Sequence, residues 1–523
     1  MTLFRKYIAI YLSIFLLGYY LFVSWLLHRS GFEHSEATFI AEKIKLLFEA
    51  DDNTLLTLGT TFPSLLFLSS AVFTPFGFPY APVLASITFI CLLFFALLID
   101  FRKSSLPRRV YIPVLVLLFV FHPGLIYAAV SGRGIGAILL FFYLVFRSLF
   151  KYYATQTTFY LSMASIYLTC LIFCDYNYIW LLLAFLPFIV FVSLEGLKLN
   201  KEEPPIIQYY QSVNNVSQRR KLANRTLAIY VIVFLLPVGA LYLFRTLNFY
   251  HAGDATYFLT SQYANWHVTG NESIGAMISS GLVDNVVEQS QIVYQFYVLA
   301  LTPLLLLVFI MFKGKIYELF TLIAPFILIS VLLIDIQYYL TAEYYLIFLV
   351  LGLLGICLYA GKKYTSKLMW PVILGVTFLN IFTGIFYFRN SADREEHAFF
   401  SYVKKAKNWR DVRGASEEYR LAAYISDLAD PTHKILMDDA AAYKIMVHMR
   451  NLKPVVMPVD NNFITVVENP KSGAKYICVA KSNNRLKSYT VLNEYNINLM
   501  MSRHRFDAIL MFETPHWAIY RIM

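Results

Sequence analysis

Long apolar runs, broken by short polar or basic segments, fill the chain as far as residue 388. A helix needs about 20 apolar residues to cross a bilayer. Eleven runs reach or approach that length, at about 7–27, 80–99, 110–128, 135–150, 157–175, 178–196, 227–246, 291–312, 316–335, 340–360 and 369–388. Lys and Arg gather on the cytoplasmic side of such helices. Here they cluster at Arg5-Lys6, Arg102 to Arg109, Arg147 to Lys151, Lys198 to Arg225, Lys313 to Lys315 and Lys362 to Lys367. A cytoplasmic N-terminus followed by eleven alternating helices puts every cluster on that side. The pattern predicts a polytopic α-helical membrane protein.

The stretch 63–75 is apolar and has a proline at each end, but it is too short to span comfortably. Counting it as a span would turn every later basic loop outward. Residues 28–79 are therefore expected to form one long outer loop of surface and re-entrant helices. The other outer segments are brief: Ser131 to Gly134, Asp175 to Tyr178 and Asp335 to Tyr344. A second long outer loop, 247–290, carries His251, Asp254, Tyr257, Tyr263, Trp266, His267, Glu272 and Asp284. Structureless loops of that length are uncommon inside compact domains, so an ordered binding loop is expected there.

The pattern changes after residue 388. Lys434 to Met437, Pro454 to Met457, Lys475 to Ala480, Phe506 to Phe512 and Trp517 to Ile522 have the apolar, β-branched and aromatic character of strands, with helical patterns at 439–449 and 463–469 between them. Strands alternating with helices predict a small C-terminal α/β soluble domain over 389–523. The topology count leaves it on the outer face, with a transmembrane domain over 1–388.

Composition agrees. The 523 residues are 58% hydrophobic and 15% charged, against roughly 25% charged in soluble domains. The 39 Tyr and 45 Phe suit a chain rich in membrane interfaces. A net charge of +11 fits a membrane better than nucleic acid, because the basic residues sit in short loops between apolar runs and form no basic domain of their own. Of the cysteines, Cys91, Cys170, Cys174 and Cys357 lie in apolar spans and Cys478 in the C-terminal region, so no disulfide framework or metal cluster is indicated. The run after Arg5-Lys6 ends at Trp25-Leu26-Leu27-His28-Arg29 without small residues. It reads as a retained anchor, not a cleaved signal.

Candidate chemistry begins at Phe32-Glu33-His34-Ser35-Glu36-Ala37-Thr38-Phe39-Ile40-Ala41-Glu42-Lys43, directly after the first span. Ala37, Ile40, Ala41, Ile44, Leu47 and Phe48 share one helical face, with Thr38, Glu42, Lys45 and Glu49 opposite. That predicts an amphipathic helix lying on the membrane surface. Ser35 is placed to cap it. Glu36 in the first turn is explained equally by the helix dipole and by chemistry at the mouth of a membrane domain.

The layout of anchor helix, carboxylate at a helix mouth, amphipathic helix, proline-marked apolar segment and many spans resembles the GT-C superfamily of integral-membrane glycosyltransferases. The nearest layouts are the protein O-mannosyltransferase and lipid A aminoarabinose transferase families. Glu36, Phe39, Ala41 and Pro63 stand in comparable places, whereas Ser35 and Phe62 stand where an Asp and a Lys are usual. The resemblance implies a polyprenyl-phosphate sugar as donor and a lipid, glycan or protein acceptor. It implies an inverting displacement on the outer face of the membrane and leaves a divalent cation open as cofactor; the lack of an evident secretory or organelle signal beyond the anchor fits a bacterial inner membrane. Glu36, or Glu33 in its place, would be the general base.

Arg133, in the turn after the third span, is the first candidate for stabilising the departing phosphate, and is equally explained as an interfacial anchor. His34, Tyr339 and Glu343 are further donor-side candidates. His251, Asp254, Trp266 and His267 could stack on and hydrogen-bond a sugar, or simply shape their loop. His122, before Pro123, is expected to satisfy a backbone carbonyl at a kink. Asp438-Asp439 at a helix start is expected to cap. Other readings of the layout are a transporter or flippase for a lipid-linked sugar, and an inactive GT-C scaffold in envelope assembly. No metal-ligand spacing stands out.

Overall fold

The computed structural model describes residues 2–49, 64–104, 106–197, 205–265, 267–269, 300–312, 319, 321–328, 341–359, 369–391, 393–481, 484, 492 and 508–523. Its helices run in the order α1 (Thr2–Arg29), α2 (Ser35–Glu49), α3 (Ser64–Ala71), α4 (Ala81–Lys103), α5 (Arg108–Phe121), α6 (Pro123–Val130), α7 (Ile135–Thr155), α8 (Thr158–Cys174), α9 (Trp180–Glu195), α10 (Pro205–Asn214) and α11 (Val216–Ala252). They continue as α12 (Tyr257–Thr260), α13 (Pro303–Met311), α14 (Ala342–Tyr359), α15 (Met369–Arg389), α16 (Arg394–Ala406), α17 (Glu417–Leu428), α18 (Asp439–Met446) and α19 (Phe463–Glu468).

Among the described residues five helices are long and apolar enough to cross a membrane: Tyr7–Arg29, Phe78–Lys103, Ile135–Thr155, Val216–Ala252 and Met369–Arg389. The pair α5 and α6 makes a sixth span bent by 61°. The bend follows from Pro123, which disfavours helical geometry at the residue before it; His122 is extended there, with φ −75° and ψ 115°. Its ring does not go to a carbonyl. His122 Nε2 and the Tyr345 hydroxyl share a 2.8 Å hydrogen bond. The expected spans at 157–175, 178–196 and 340–360 are shorter apolar helices, and those at 291–312 and 316–335 are described only in part. The helices bury one continuous apolar core between them.

The C-terminal strands β1 (Ile435–Leu436), β2 (Val455–Val456), β3 (Tyr476–Ala480), β4 (Ala508–Glu513) and β5 (Trp517–Ile522) form one sheet in the order β2-β1-β3-β5-β4. β1 runs parallel to β2 and β3, while β5 is antiparallel to β3 and β4. Alternate residues serve opposite faces. Ile435, Val455, Cys478 and Ile519 join the core beneath α17 and α18, whereas Leu436, Val456, Ile477 and Ala518 pack towards α19.

Helix α2 joins the two halves. It is not a surface helix with its polar side in water: Glu42, Lys43 and Lys45 are as buried as its apolar residues. Ile40 and Ile44 pack with Leu66, Phe67 and Ala85 of α3 and α4. Phe39 and Leu46 enter the core of the C-terminal sheet, the Phe39 ring lying edge-on to Tyr443 at 5.6 Å. Lys43 Nζ is paired with Asp439 and lies 3.3 Å from Glu42. Lys45 Nζ donates to the carbonyls of Met446 (3.2 Å) and Met449 at the other end of α18. The Glu49 carboxylate accepts from Leu452 N–H at 3.0 Å. The polar face avoids water because α18 and the segment after it supply partners for Lys43, Lys45 and Glu49.

Candidate active site

The site lies at the end of the bundle where α1, α6, α8 and α15 finish and α14 begins. It is built around the turn Ser131-Gly132-Arg133-Gly134. Gly132 and Gly134 have φ +72° and +84°, a region that glycine enters without strain. A Cβ on Gly132 would meet Ala37 Cβ at 2.8 Å, and one on Gly134 would meet Leu66 at the same distance. The glycines let the turn press against α2 and α3 and direct Arg133 inward.

Arg133 Nε lies 3.3 Å from Glu36 Oε2, and Nη1 lies 3.2 Å from Glu396 Oε1. Glu396, in the first turn of α16, also accepts from Ala342 N–H, the Tyr387 hydroxyl and the Ser391 hydroxyl, each at 2.8 Å. A carboxylate offers about four acceptor positions, so Glu396 is saturated and has a structural part. Burial, reinforced by Asp393, still pushes it up to about 7 despite Arg133. Glu36 is different. Among the described residues Arg133 is its ion-pair partner, its side chain is 18% exposed, and burial raises its carboxyl above its ordinary value against the opposing charges of Arg133 and His34. A raised, partly accessible carboxylate is what a general base requires.

Ser35 does not cap α2 with its own oxygen. Its N–H (3.0 Å) and hydroxyl (2.6 Å) both donate to Glu395 Oε1, and His34 Nε2 lies 2.8 Å from Glu395 Oε2. The first N–H of the helix is thus satisfied by a carboxylate from far along the chain. Burial works against its charge, but the His34 charge and these hydrogen bonds together hold Glu395 well below the usual carboxylate range. For His34, burial is outweighed by Glu395, and its affinity for a proton rises. Glu36 N–H points at His34 Nδ1 from 3.2 Å, so the neutral ring carries its proton on Nε2.

Glu343 accepts from the Tyr178 hydroxyl at 2.5 Å. Asp175 accepts from Asn177 N–H at 2.8 Å and lies within electrostatic range of Glu36 and Arg133. The hydroxyls of Tyr127, Tyr344 and Thr341 are buried without a partner among the described residues. Glu33 turns away from Arg133 and meets His448 Nε2 at 3.1 Å.

Thus Glu33, Glu36, His34, Arg133 and Glu343 gather at this end of the bundle. Tyr339 and Trp266 lie outside the described residues. His251, at the end of α11, is exposed. Asp254 accepts from Thr256 N–H and the Thr260 hydroxyl, and His267 Nε2 bonds Leu259 O, so their described contacts stay within their own loop. Asp438 caps α18 by accepting from Ala440 N–H, while Asp439 holds Lys43. The reading of the residues missed Glu395, Glu396 and His448. A cap followed by two Glu, Asp393-Arg394-Glu395-Glu396, was visible after the last span but explains itself as a helix start. Among the described residues no three His, Cys, Asp or Glu side chains are grouped to hold a divalent ion, and Glu36 and Glu396 already face Arg133.

No protein-family model matches the chain, and no curated protein matches it in sequence. Solved structures do. Over 99% of its length the chain superposes on 97% of ArnT from Cupriavidus metallidurans bound to undecaprenyl phosphate, with a TM-score of 0.51 and 10% identity. Apo ArnT matches over 97% of both chains, with a TM-score of 0.47 and 11% identity. The protein is a polytopic membrane protein with the GT-C fold. Its overall likeness is to ArnT, a lipid A aminoarabinose transferase, and the resemblance noted in the sequence holds at the level of the fold.

Proposed function

We propose that the protein is a membrane glycosyltransferase that moves a sugar from a polyprenyl-phosphate donor to an acceptor hydroxyl on the outer face of the membrane. The observation that carries this reading is the Glu36–Arg133 pair at the mouth of a GT-C bundle. Glu36 takes the proton of the acceptor hydroxyl as that oxygen bonds the anomeric carbon from the face opposite the phosphate. The bond from carbon to phosphate oxygen breaks, and its electron pair leaves on the lipid phosphate. Protonation neutralises Glu36 just as the phosphate gains charge, which frees Arg133 to balance the leaving group. A preorganised charge of this kind is among the larger contributions to catalysis. Tyr127, Tyr344 and Thr341 supply unpartnered hydroxyls for the donor.

Proteoliposomes given a radiolabelled polyprenyl-phosphate sugar and an extract of envelope acceptors test the reading. Glu36→Gln should slow transfer by about 10²–10⁴-fold, the usual worth of a general base. Transfer at the wild-type rate would remove Glu36 from the mechanism. Movement of the donor across the membrane without transfer would favour a flippase, and neither activity would favour a scaffold.

A further inference from the structure

The turn after α16 sets an aromatic and basic patch against the outer end of α1. Lys404, Lys405, Lys407, Trp409 and Arg410 are all exposed there. A backbone bond of 3.0 Å from Val412 N–H to Arg29 O ties the turn to the last residue of α1. Trp409 has φ +55°, in a region that bulky side chains rarely enter. Its ring reaches back along α1, with centroids 6.1 Å from Phe22 and 6.2 Å from Trp25. Phe22 stands about 10 Å before the end of that helix, at 1.5 Å per residue, so Trp409 descends beside the apolar part of the span. The three rings keep 56%, 48% and 46% exposure for Trp409, Phe22 and Trp25, an apolar surface that only lipid would cover at this depth. Asp411, the one acid of 404–413, is engaged by Arg413 at 2.6 Å and by Arg29 at 3.9 Å. Among the described residues no ion pair takes up Lys404, Lys405, Lys407 or Arg410.

We infer that this patch docks the C-terminal region onto anionic phospholipid in the leaflet at the outer end of α1. Trp409 sits at the boundary between headgroups and acyl chains, where tryptophan gathers. Lys404, Lys407 and Arg410 meet the lipid phosphates, and an uncompensated basic cluster at a bilayer surface favours anionic headgroups over zwitterionic ones. The same docking holds α16, whose first turn brings Glu395 and Glu396 to the site, at a fixed height on the bundle. It holds whether or not the protein transfers a sugar.

Trp409 fluorescence, read as the emission lost in Trp409→Phe, tests the docking on the full chain in proteoliposomes. The bilayer holds phosphatidylglycerol and phosphatidylcholine in equal parts, with bromines on the acyl chains of one lipid or of the other. Both should quench Trp409, and brominated phosphatidylglycerol should quench it at least about two-fold more strongly. Lys404→Gln, Lys407→Gln and Arg410→Gln made together should abolish that preference. Equal quenching by the two lipids in the wild type overturns the inference, as does a preference that survives the triple variant. Quenching by neither lipid overturns it as well: iodide in the aqueous phase would then quench Trp409 if the turn faces water, and would fail to if another macromolecule covers it.

Discussion

The carboxyl of Glu36 and the guanidinium of Arg133 are the pair on which the chemistry turns, and their burial sets its pH dependence. A free glutamate titrates near 4.3, and burial raises Glu36 above that. Since the base works only when ionised, the acid limb of a kcat/KM profile should lie above the ordinary carboxylate range, and an acid limb at or below it would place the base elsewhere. Arg133→Met leaves Glu36 and Glu396 facing each other without a cation. Breaking a buried pair from one side costs about 3–5 kcal/mol, so a marked fall in the thermal midpoint is expected in detergent, and an unchanged midpoint would contradict the pairing. Glu36 and Arg133 were legible in the sequence because each stands beside the end of an apolar run. Glu395 was not, although it supplies the carboxylate at Ser35: hydrogen bonds between residues 35 and 395 leave no local pattern.

Helix α2 shows how far periodicity carries. The stripe of Ala37, Ile40, Ala41 and Ile44 is real and packs on α3 and α4. Phe39 and Leu46 lie off that stripe. With Lys43 they make a second face at i, i+4 and i+7, buried against the C-terminal sheet region. Amphipathicity tells a helix from a loop, but water, the lipid headgroup layer and another part of the protein all accommodate a polar face. Lys43 therefore positions Glu36, two turns back on the same side of the helix, by fixing the register of α2 on α18. Lys43→Met should strand Asp439 at a cost of about 3–5 kcal/mol and lower transfer with it. Asp439→Asn added to it should recover part of the stability, and a double-mutant cycle reads the coupling. Additive losses would show that the two side chains do not act together.

Across the whole molecule, the site draws on the ends of α1, α6, α8, α14, α15 and α16, the ends that the charge count places outside. Orientation is directly measurable. Ser472→Cys, in an exposed turn of the C-terminal region, should react with a membrane-impermeant maleimide in intact cells. Lys221→Cys, exposed near the start of α11, should react only after lysis; the opposite pattern would invert the topology. The sequence alone determined that the chain is a helical membrane protein, where its apolar runs lie and which runs become strands. Those features depend on local periodicity and on transfer of apolar surface out of water. Only the tertiary structure decided that Arg133 meets both Glu36 and Glu396, that Glu395 serves Ser35 and His34, and that α2 is buried between two halves. Each of these joins residues far apart in the chain, where the energy of a contact depends on partners that no local pattern names.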